Sequence, residues 1–354
     1  MKVELFEVHV EAAGYYRQQL QDRPKGWAAQ HLRGRGLGAA AAPGSAGWVG
    51  YAPDGWSRLV GHLRRCGFAD DVLVGSGLAS VTRTGFLIDR FRDRIMFAAH
   101  DVDLRTVGFI GRSRGNRLRY LNTPTTEIYS KASALVGLEG QQDRLSAGSI
   151  PVFVEGPMDA LAVDLCGDEW VGASSCGTAI TPEQASIVRR HSAAGTAIVG
   201  FDGDLGGQMG AVRSLEVLSE VFDEVLFARL PDEWDPAALY SADPRQLRVV
   251  LNSARPLADF AIDVELTKWS NVLDHLSGQV NAVRAVAPLV ARLPSARIAG
   301  EIARLARVVH LDEQVVSNEV LAAAGRVQTS RARRRTSADI VEAGADPPDY
   351  SRSP

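Results

Sequence analysis

A chain of 354 residues with 45% hydrophobic and 23% charged residues has the make-up of a water-soluble globular protein of about two to three domains. No apolar run is long enough to span a bilayer, the acidic start (Glu4, Glu7, Glu11) is no signal peptide, and Cys66, Cys166 and Cys176 support neither a disulfide framework nor a four-ligand zinc site. A reducing cytoplasm is the expected compartment. The net charge of −3 conceals an asymmetry: residues 1–140 hold 19 Lys and Arg against 13 Asp and Glu, whereas 141–250 hold 7 against 17. A basic block joined to an acidic one suits a polyanion on the first and metal ions on the second, although chance segregation of solvated charge explains the counts alone equally well.

Leu5, Val8, Ala12, Tyr15, Tyr16 and Leu20 fall at helical spacing over 4–20, with Pro24 ending the helix. A short helix over 26–34 follows, then an Ala/Gly/Pro connection at 38–47, then a helix over Gly55–Cys66 whose Trp56, Leu59, Val60 and Leu63 are expected in the core. Short strands are expected at 85–87, 94–98, 106–110 and 118–122. Arginines punctuate them: Arg90, Arg92 and Arg94 would share one face of an extended segment, and Arg112, Arg114, Arg117 and Arg119 follow beside Tyr120 and Asn122. Guanidinium groups grip phosphates and rings stack on bases, so this reads as a single-strand track, against a charged edge strand as the plainer alternative.

Residues 150–231 alternate strand and helix, the pattern of a parallel sheet with covered faces. Two of its apolar strands stop at acids: Glu155 after Val152-Phe153-Val154, and Asp202 and Asp204 after Ile198-Val199-Gly200-Phe201. Asp235 follows a fourth strand in an acidic loop. Carboxylates at one rim of a sheet repel one another and call for a divalent cation. Either motif alone is as readily a polar strand end; the ordered set is more specific. Beyond 255 the pattern is a small helical bundle with Pro294 as a breaker, and a tail after Gly325 with four arginines among 331–335 reads as disordered.

The stretches Tyr51-Ala52-Pro53, Asp89-Arg90-Phe91-Arg92-Asp93-Arg94, Arg119-Tyr120-Leu121-Asn122-Thr123-Pro124, Ile128-Tyr129-Ser130-Lys131, Val154-Glu155-Gly156-Pro157-Met158-Asp159, Phe201-Asp202-Gly203-Asp204 and Leu230-Pro231-Asp232 carry a resemblance. Residues 150–236 resemble a TOPRIM domain, and the chain resembles the catalytic core of a bacterial DnaG-type primase. The implied fold is α/β (α+β overall): a basic α+β subdomain over 1–140, a TOPRIM Rossmann-like parallel sheet over 141–250, a helical subdomain over 251–325 and a disordered tail over 326–354.

The resemblance implies synthesis of RNA primers from nucleoside triphosphates on single-stranded DNA. It assigns Mg²⁺ or Mn²⁺ to Glu155, Asp202, Asp204 and Asp235, the first three being catalytic; with three scattered cysteines, no zinc is expected. Arg90, Arg92, Arg94, Arg119, Tyr120, Asn122, Lys131 and Asp159 correspond to nucleic-acid or nucleotide-binding positions. The chain starts at the core, without the family's zinc-binding module, and stops before its helicase-binding domain, so a replicative helicase or a separate zinc-binding subunit are the expected partners; no membrane is. Where the family has a second acid in the Asp-Pro-Asp loop, Ala237 stands here, and Arg119 replaces the usual lysine. A TOPRIM nuclease and a non-catalytic nucleic-acid-binding subunit are the alternatives.

Overall fold

The computed structural model describes residues 2–42, 47–115 and 118–326; Arg117, part of the connection expected over 38–47 and the tail from 327 onward lie outside them. Helix α1 (Lys2–Gln21) buries Leu5, Val8, Ala12, Tyr16 and Leu20 on one stripe, the spacing that a 3.6-residue period requires. After α2 (Trp27–Gly34) comes strand β1 (Val49–Ala52), which crosses α1 so closely that a Cβ on Gly50 would stand 2.6 Å from the Tyr16 backbone carbon.

Helix α3 (Arg58–Arg65) starts later than expected. Its first turn is set by the buried carboxylate of Asp89, which accepts from the N–H groups of Leu59 and Val60, both at 2.9 Å. Trp56 is therefore off the helix and 66% exposed instead of in the core, with the Arg92 guanidinium 4.5 Å from its ring centre. The short α4 (Asp70–Gly75) has no counterpart in the sequence reading.

Strands β2 (Ala79–Val81) and β3 (Leu87–Asp89) form a hairpin. Strands β4 (Arg94–His100), β5 (Thr106–Ser113) and β6 (Tyr120–Asn122) join β1 in an antiparallel sheet of order β1-β4-β5-β6. Arg90, Arg92 and Arg94 do not share a strand face: β3 ends at Asp89, and Asp93 turns the chain with φ 47°. That left-handed residue is held by its carboxylate, which accepts from Tyr51 Oη at 2.7 Å and from the Trp27 indole.

Beyond α5 (Gln142–Ser146), strand and helix alternate as expected: β7 (Ile150–Val154), α6 (Pro157–Cys166), β8 (Trp170–Ser174), α7 (Pro182–His191), β9 (Thr196–Val199), α8 (Leu205–Leu218) and β10 (Glu224–Phe227). Helices α9 (Pro236–Ala242) and α10 (Pro244–Asn252), missing from the sequence reading, precede an antiparallel edge strand β11 (Arg255–Pro256). The sheet order β11-β10-β9-β7-β8 sets β7 directly beside β9, with Val152 opposite Ile198 and Phe153 opposite Val199. From that pair the connections leave in opposite directions, β7 to β8 and β9 to β10. Such a switch point opens a crevice at the strands' carboxyl ends.

The basic and acidic blocks share one core running from α1 to α10. Between the sheets, Leu135 pairs with His100 at the end of β4, and Val136 pairs with Ser174 at the end of β8. By packing, the chain divides after Leu257. The second unit contains α11 (Leu257–Thr267) from Ala258 on, α12 (Leu276–Val290), α13 (Ser295–Val309) and α14 (313–326), around Ile262, Val283, Val286, Leu305, Val309 and Val316. Pro294 caps α13, as its breaker role requires.

Candidate active site

Glu155 and Asp202 extend from β7 and β9, so the switch point brings together acids that are far apart in the chain. The backbone N–H of Asp202 donates to Glu155 Oε1 at 3.2 Å. Asp204, one residue past the next glycine, is exposed and caps α8 by accepting from Gly207 N–H at 2.7 Å. The intervening Gly203 is required by a close approach: a Cβ there would lie 1.9 Å from the Pro231 carbonyl oxygen, and its N–H donates to the Trp234 carbonyl at 2.8 Å. This clamp binds the Asp-Gly-Asp corner to the loop that carries Asp235. Asp235 in turn caps α9, accepting from Ala238 N–H at 2.5 Å.

Electrostatics reflect the crowding. Burial, followed by the charges of Glu155, Asp235 and Asp204, pushes the Asp202 carboxyl up to about 7. Burial also raises Glu155, against the lowering effect of the Asp202 N–H. Asp202 Oδ1 is a buried carboxylate oxygen with no hydrogen-bond partner. An orphaned hard oxygen among mutually repelling carboxylates fits a divalent cation. Among the described residues, no three ligand oxygens of this group lie within 4.8 Å of one another. An open acidic rim of that kind suits an ion that takes one or two carboxylates and completes its shell with substrate phosphates and water.

Asp159, expected among the nucleotide-binding residues, has both carboxylate oxygens bound to backbone. It is buried on α6, with Oδ2 accepting from Gly156 N–H and Oδ1 from Ala237 N–H, both at 3.1 Å. Burial, then Asp235 and Asp202, drives its carboxyl well above the usual range. It ties α6 to the start of α9 while still lining the cleft. Ala237 is itself buried, so the position where the family carries a further acid is a packed methyl group here.

Glu155, Asp159, Asp202 and Asp235 form one wall of a cleft of about 410 Å³. Arg35, Arg112, Arg119 and Lys131 line it along with Tyr120 and Asn122. Arg112 Nη1 donates to Tyr120 Oη at 2.8 Å. The Arg35 guanidinium comes within 4.0 Å of Asp235 Oδ1. Of the expected nucleic-acid or nucleotide-binding residues, Arg119, Tyr120, Asn122, Lys131 and Asp159 are thus at the cleft. Arg90, Arg92 and Arg94 are occupied with backbone carbonyls: Arg90 donates to Asn122 O at 2.9 and 3.1 Å, Arg92 to Asp89 O, and Arg94 to Gly111 O at 3.0 Å and Leu118 O at 3.2 Å. Arg90 and Arg94 brace the corner that presents β6, while Arg92 lies over the Trp56 ring. Arg35 was missed by the sequence reading, since it ends a helix more than a hundred residues from the acids and no local pattern marks it; Arg112 was visible only as one of a run.

A parallel sheet with acids at its switch point, set beside a basic antiparallel sheet across one cleft, defines a Toprim protein with a nucleic-acid-type front wall. Residues 15–142 match the family described as DNA primase catalytic core, N-terminal domain, and residues 152–240 match a Toprim-like family. The DNA primase of Streptomyces coelicolor is 35% identical over 310 residues, covering 85% of this chain and 47% of that protein. For the DNA primase of Mycobacterium tuberculosis H37Rv the figures are 31% over 355 residues, 97% and 55%. The chain spans about half the length of these primases. The crystal structure of the RNA polymerase domain of M. tuberculosis primase DnaG superposes with a TM-score of 0.71 at 30% identity, covering 86% of this chain and 98% of that one. A Pseudomonas aeruginosa DNA primase domain gives 0.73 at 30%, with 89% and 99% covered. The DnaG primase catalytic domain bound to single-stranded DNA gives 0.71 at 27%, with 88% and 98% covered. The chain belongs to the DnaG-type primase family, over that family's catalytic core.

Proposed function

We propose that this chain synthesises short RNA primers on single-stranded DNA by metal-dependent nucleotidyl transfer. The observation that carries the reading is the pairing of walls in one cleft: Glu155, Asp202 and Asp235 on one, Arg35, Arg112, Arg119 and Lys131 on the other. The similar catalytic domain with single-stranded DNA bound supports the same substrate class. Glu155, Asp202, Asp204 and Asp235 are the residues to hold Mg²⁺ or Mn²⁺, which when bound lowers the pKa of a primer 3′-hydroxyl and offsets phosphate charge. Arg119 and Lys131 neutralise the template backbone or the incoming triphosphate, and Tyr120 and Asn122 orient a base beside them. The protein's contribution is positioning and charge neutralisation, which suffices for phosphoryl transfer through a loose transition state.

The test is ribonucleotide incorporation on a single-stranded DNA template with Mg²⁺ or Mn²⁺, with and without a replicative helicase. Primers are expected from the intact chain. They should disappear in Asp202→Ala and Asp204→Ala while template binding persists. Cleavage of labelled DNA without nucleotide addition would instead mark a nuclease built on the same acids.

A further inference from the structure

A second metal-ligating cluster lies away from the cleft. Glu11 on α1, His62 on α3 and Cys66 at the end of α3 converge, with one ligand atom of each within 4.8 Å of the others. His62 Nε2 is 2.6 Å from Glu11 Oε1, Cys66 Sγ is 3.5 Å from Glu11 Oε1, and Cys66 Sγ is 3.7 Å from His62 Nε2. His62 and Cys66 are four residues apart, so one helical turn stacks them on one face. The imidazole is further held by Tyr15, whose ring centre is 4.6 Å away.

We propose that Glu11, His62 and Cys66 bind a borderline-soft transition-metal ion of the Zn²⁺ class, with water as the fourth ligand. The distances decide for such an ion. With zinc bond lengths of about 2.3 Å to sulfur and about 2.0–2.1 Å to nitrogen and oxygen, a tetrahedron sets sulfur about 3.6 Å from each of the other two ligands and nitrogen about 3.4 Å from oxygen. The sulfur separations of 3.5 and 3.7 Å already match. Only the 2.6 Å contact between His62 and Glu11 must open, by about 0.8 Å to reach that geometry. One nitrogen, one sulfur and one oxygen donor do not suit Mg²⁺, which prefers an all-oxygen shell. The sequence expectation of no zinc came from counting cysteines, and a mixed set supplied by two separate helices escapes that count.

Bound metal would pin α3 to α1, the helix that backs the antiparallel sheet. The thiol is exposed, so ion and solvent can reach it. The ligand atoms belong to none of the acids at the cleft, and the two sites are separable by spectroscopy.

The experiment is titration of the full chain, stripped of metal by a chelator, with Co²⁺ as probe. Thiolate ligation gives a sulfur-to-cobalt charge-transfer band that carboxylate sites cannot give. The expected result is a saturable band that Zn²⁺ displaces, that survives Asp202→Ala and that vanishes in Cys66→Ser. His62→Ala should weaken Co²⁺ binding by more than the roughly 10–100-fold that loss of an outer-shell partner costs. No band from the intact chain, or a band that persists in Cys66→Ser and so belongs to Cys166 or Cys176, would overturn the site.

Discussion

Asp202 donates its backbone N–H to Glu155 Oε1 across a sequence separation of 47 residues, so one acid of the cleft is anchored by the neighbour it repels. Burial, and then that proximity, push the Asp202 carboxyl up to about 7 in the fold against an ordinary 3.8. Because the folded chain holds this proton more tightly than the unfolded one, stability falls as pH rises from about 4 to about 7, and the penalty is complete above that. Asp202→Asn is therefore expected to abolish primer synthesis yet raise stability by roughly 1–2 kcal/mol at about pH 8 in chelator, after discounting for partial exposure. Thermal unfolding of both proteins checks this. Mg²⁺ should stabilise the parent and not the variant, and an unchanged midpoint in chelator would mean that the acids are not crowded.

Asp159→Ala removes the acceptor shared by the buried N–H groups of Gly156 and Ala237. Each unpaired group costs about 1–3 kcal/mol, partly offset by losing a buried carboxyl. A lower urea midpoint is expected, with about 1–2 kcal/mol lost overall. A normal midpoint together with lost nucleotide binding would point instead to the nucleotide-binding role the sequence suggested for Asp159.

The arginines divide into two groups by what they hold. Arg119 and Lys131 line the cleft, so Arg119→Ala or Lys131→Ala should weaken single-stranded DNA binding and reduce the slope of log affinity against log salt by about one. Arg94 is spent on the carbonyls of Gly111 and Leu118. Arg94→Ala should therefore lower thermal stability and leave the salt slope nearly intact. Fluorescence anisotropy across a salt series separates the two behaviours.

His9 supplies an acid switch on stability. It is buried on α1, its Nδ1 donates to Leu5 O at 2.6 Å, and its ring stacks on Phe109. Burial holds its pKa at about 4 against 6.5. The unfolded chain takes up the proton first as pH falls, so this contribution is complete above about pH 6.5 and is lost progressively towards about pH 4. The full swing is at most about 3–4 kcal/mol. Denaturant unfolding between about pH 7 and pH 5 measures it, and His9→Phe should flatten the curve.

The alternation over 150–227 was legible because buried parallel strands write continuous apolar runs, and Pro157 and Pro182 mark the helix starts. The carboxylates were legible because they end those runs. What escaped was anything fixed by tertiary contact. Asp89 and Asp93 look like ordinary charges between arginines, yet one caps α3 and the other holds Tyr51 and Trp27. Asp159 reads as part of a motif, while its burial depends on α9, which forms more than seventy residues later. The arginine alternation implied an extended strand, and a single positive φ at Asp93 undid it.

The two bridge residues between the sheets bear on how the cleft keeps its shape. Leu135 exchanges both backbone hydrogen bonds with His100, at 2.8 and 3.1 Å, and Val136 does the same with Ser174. The front and rear walls are therefore gauged by a rung of main chain, indifferent to salt and to side-chain substitution. The sheets that carry the basic and the acidic wall are held in register by four main-chain hydrogen bonds, and a side-chain change at Leu135 or Val136 leaves those donors and acceptors in place.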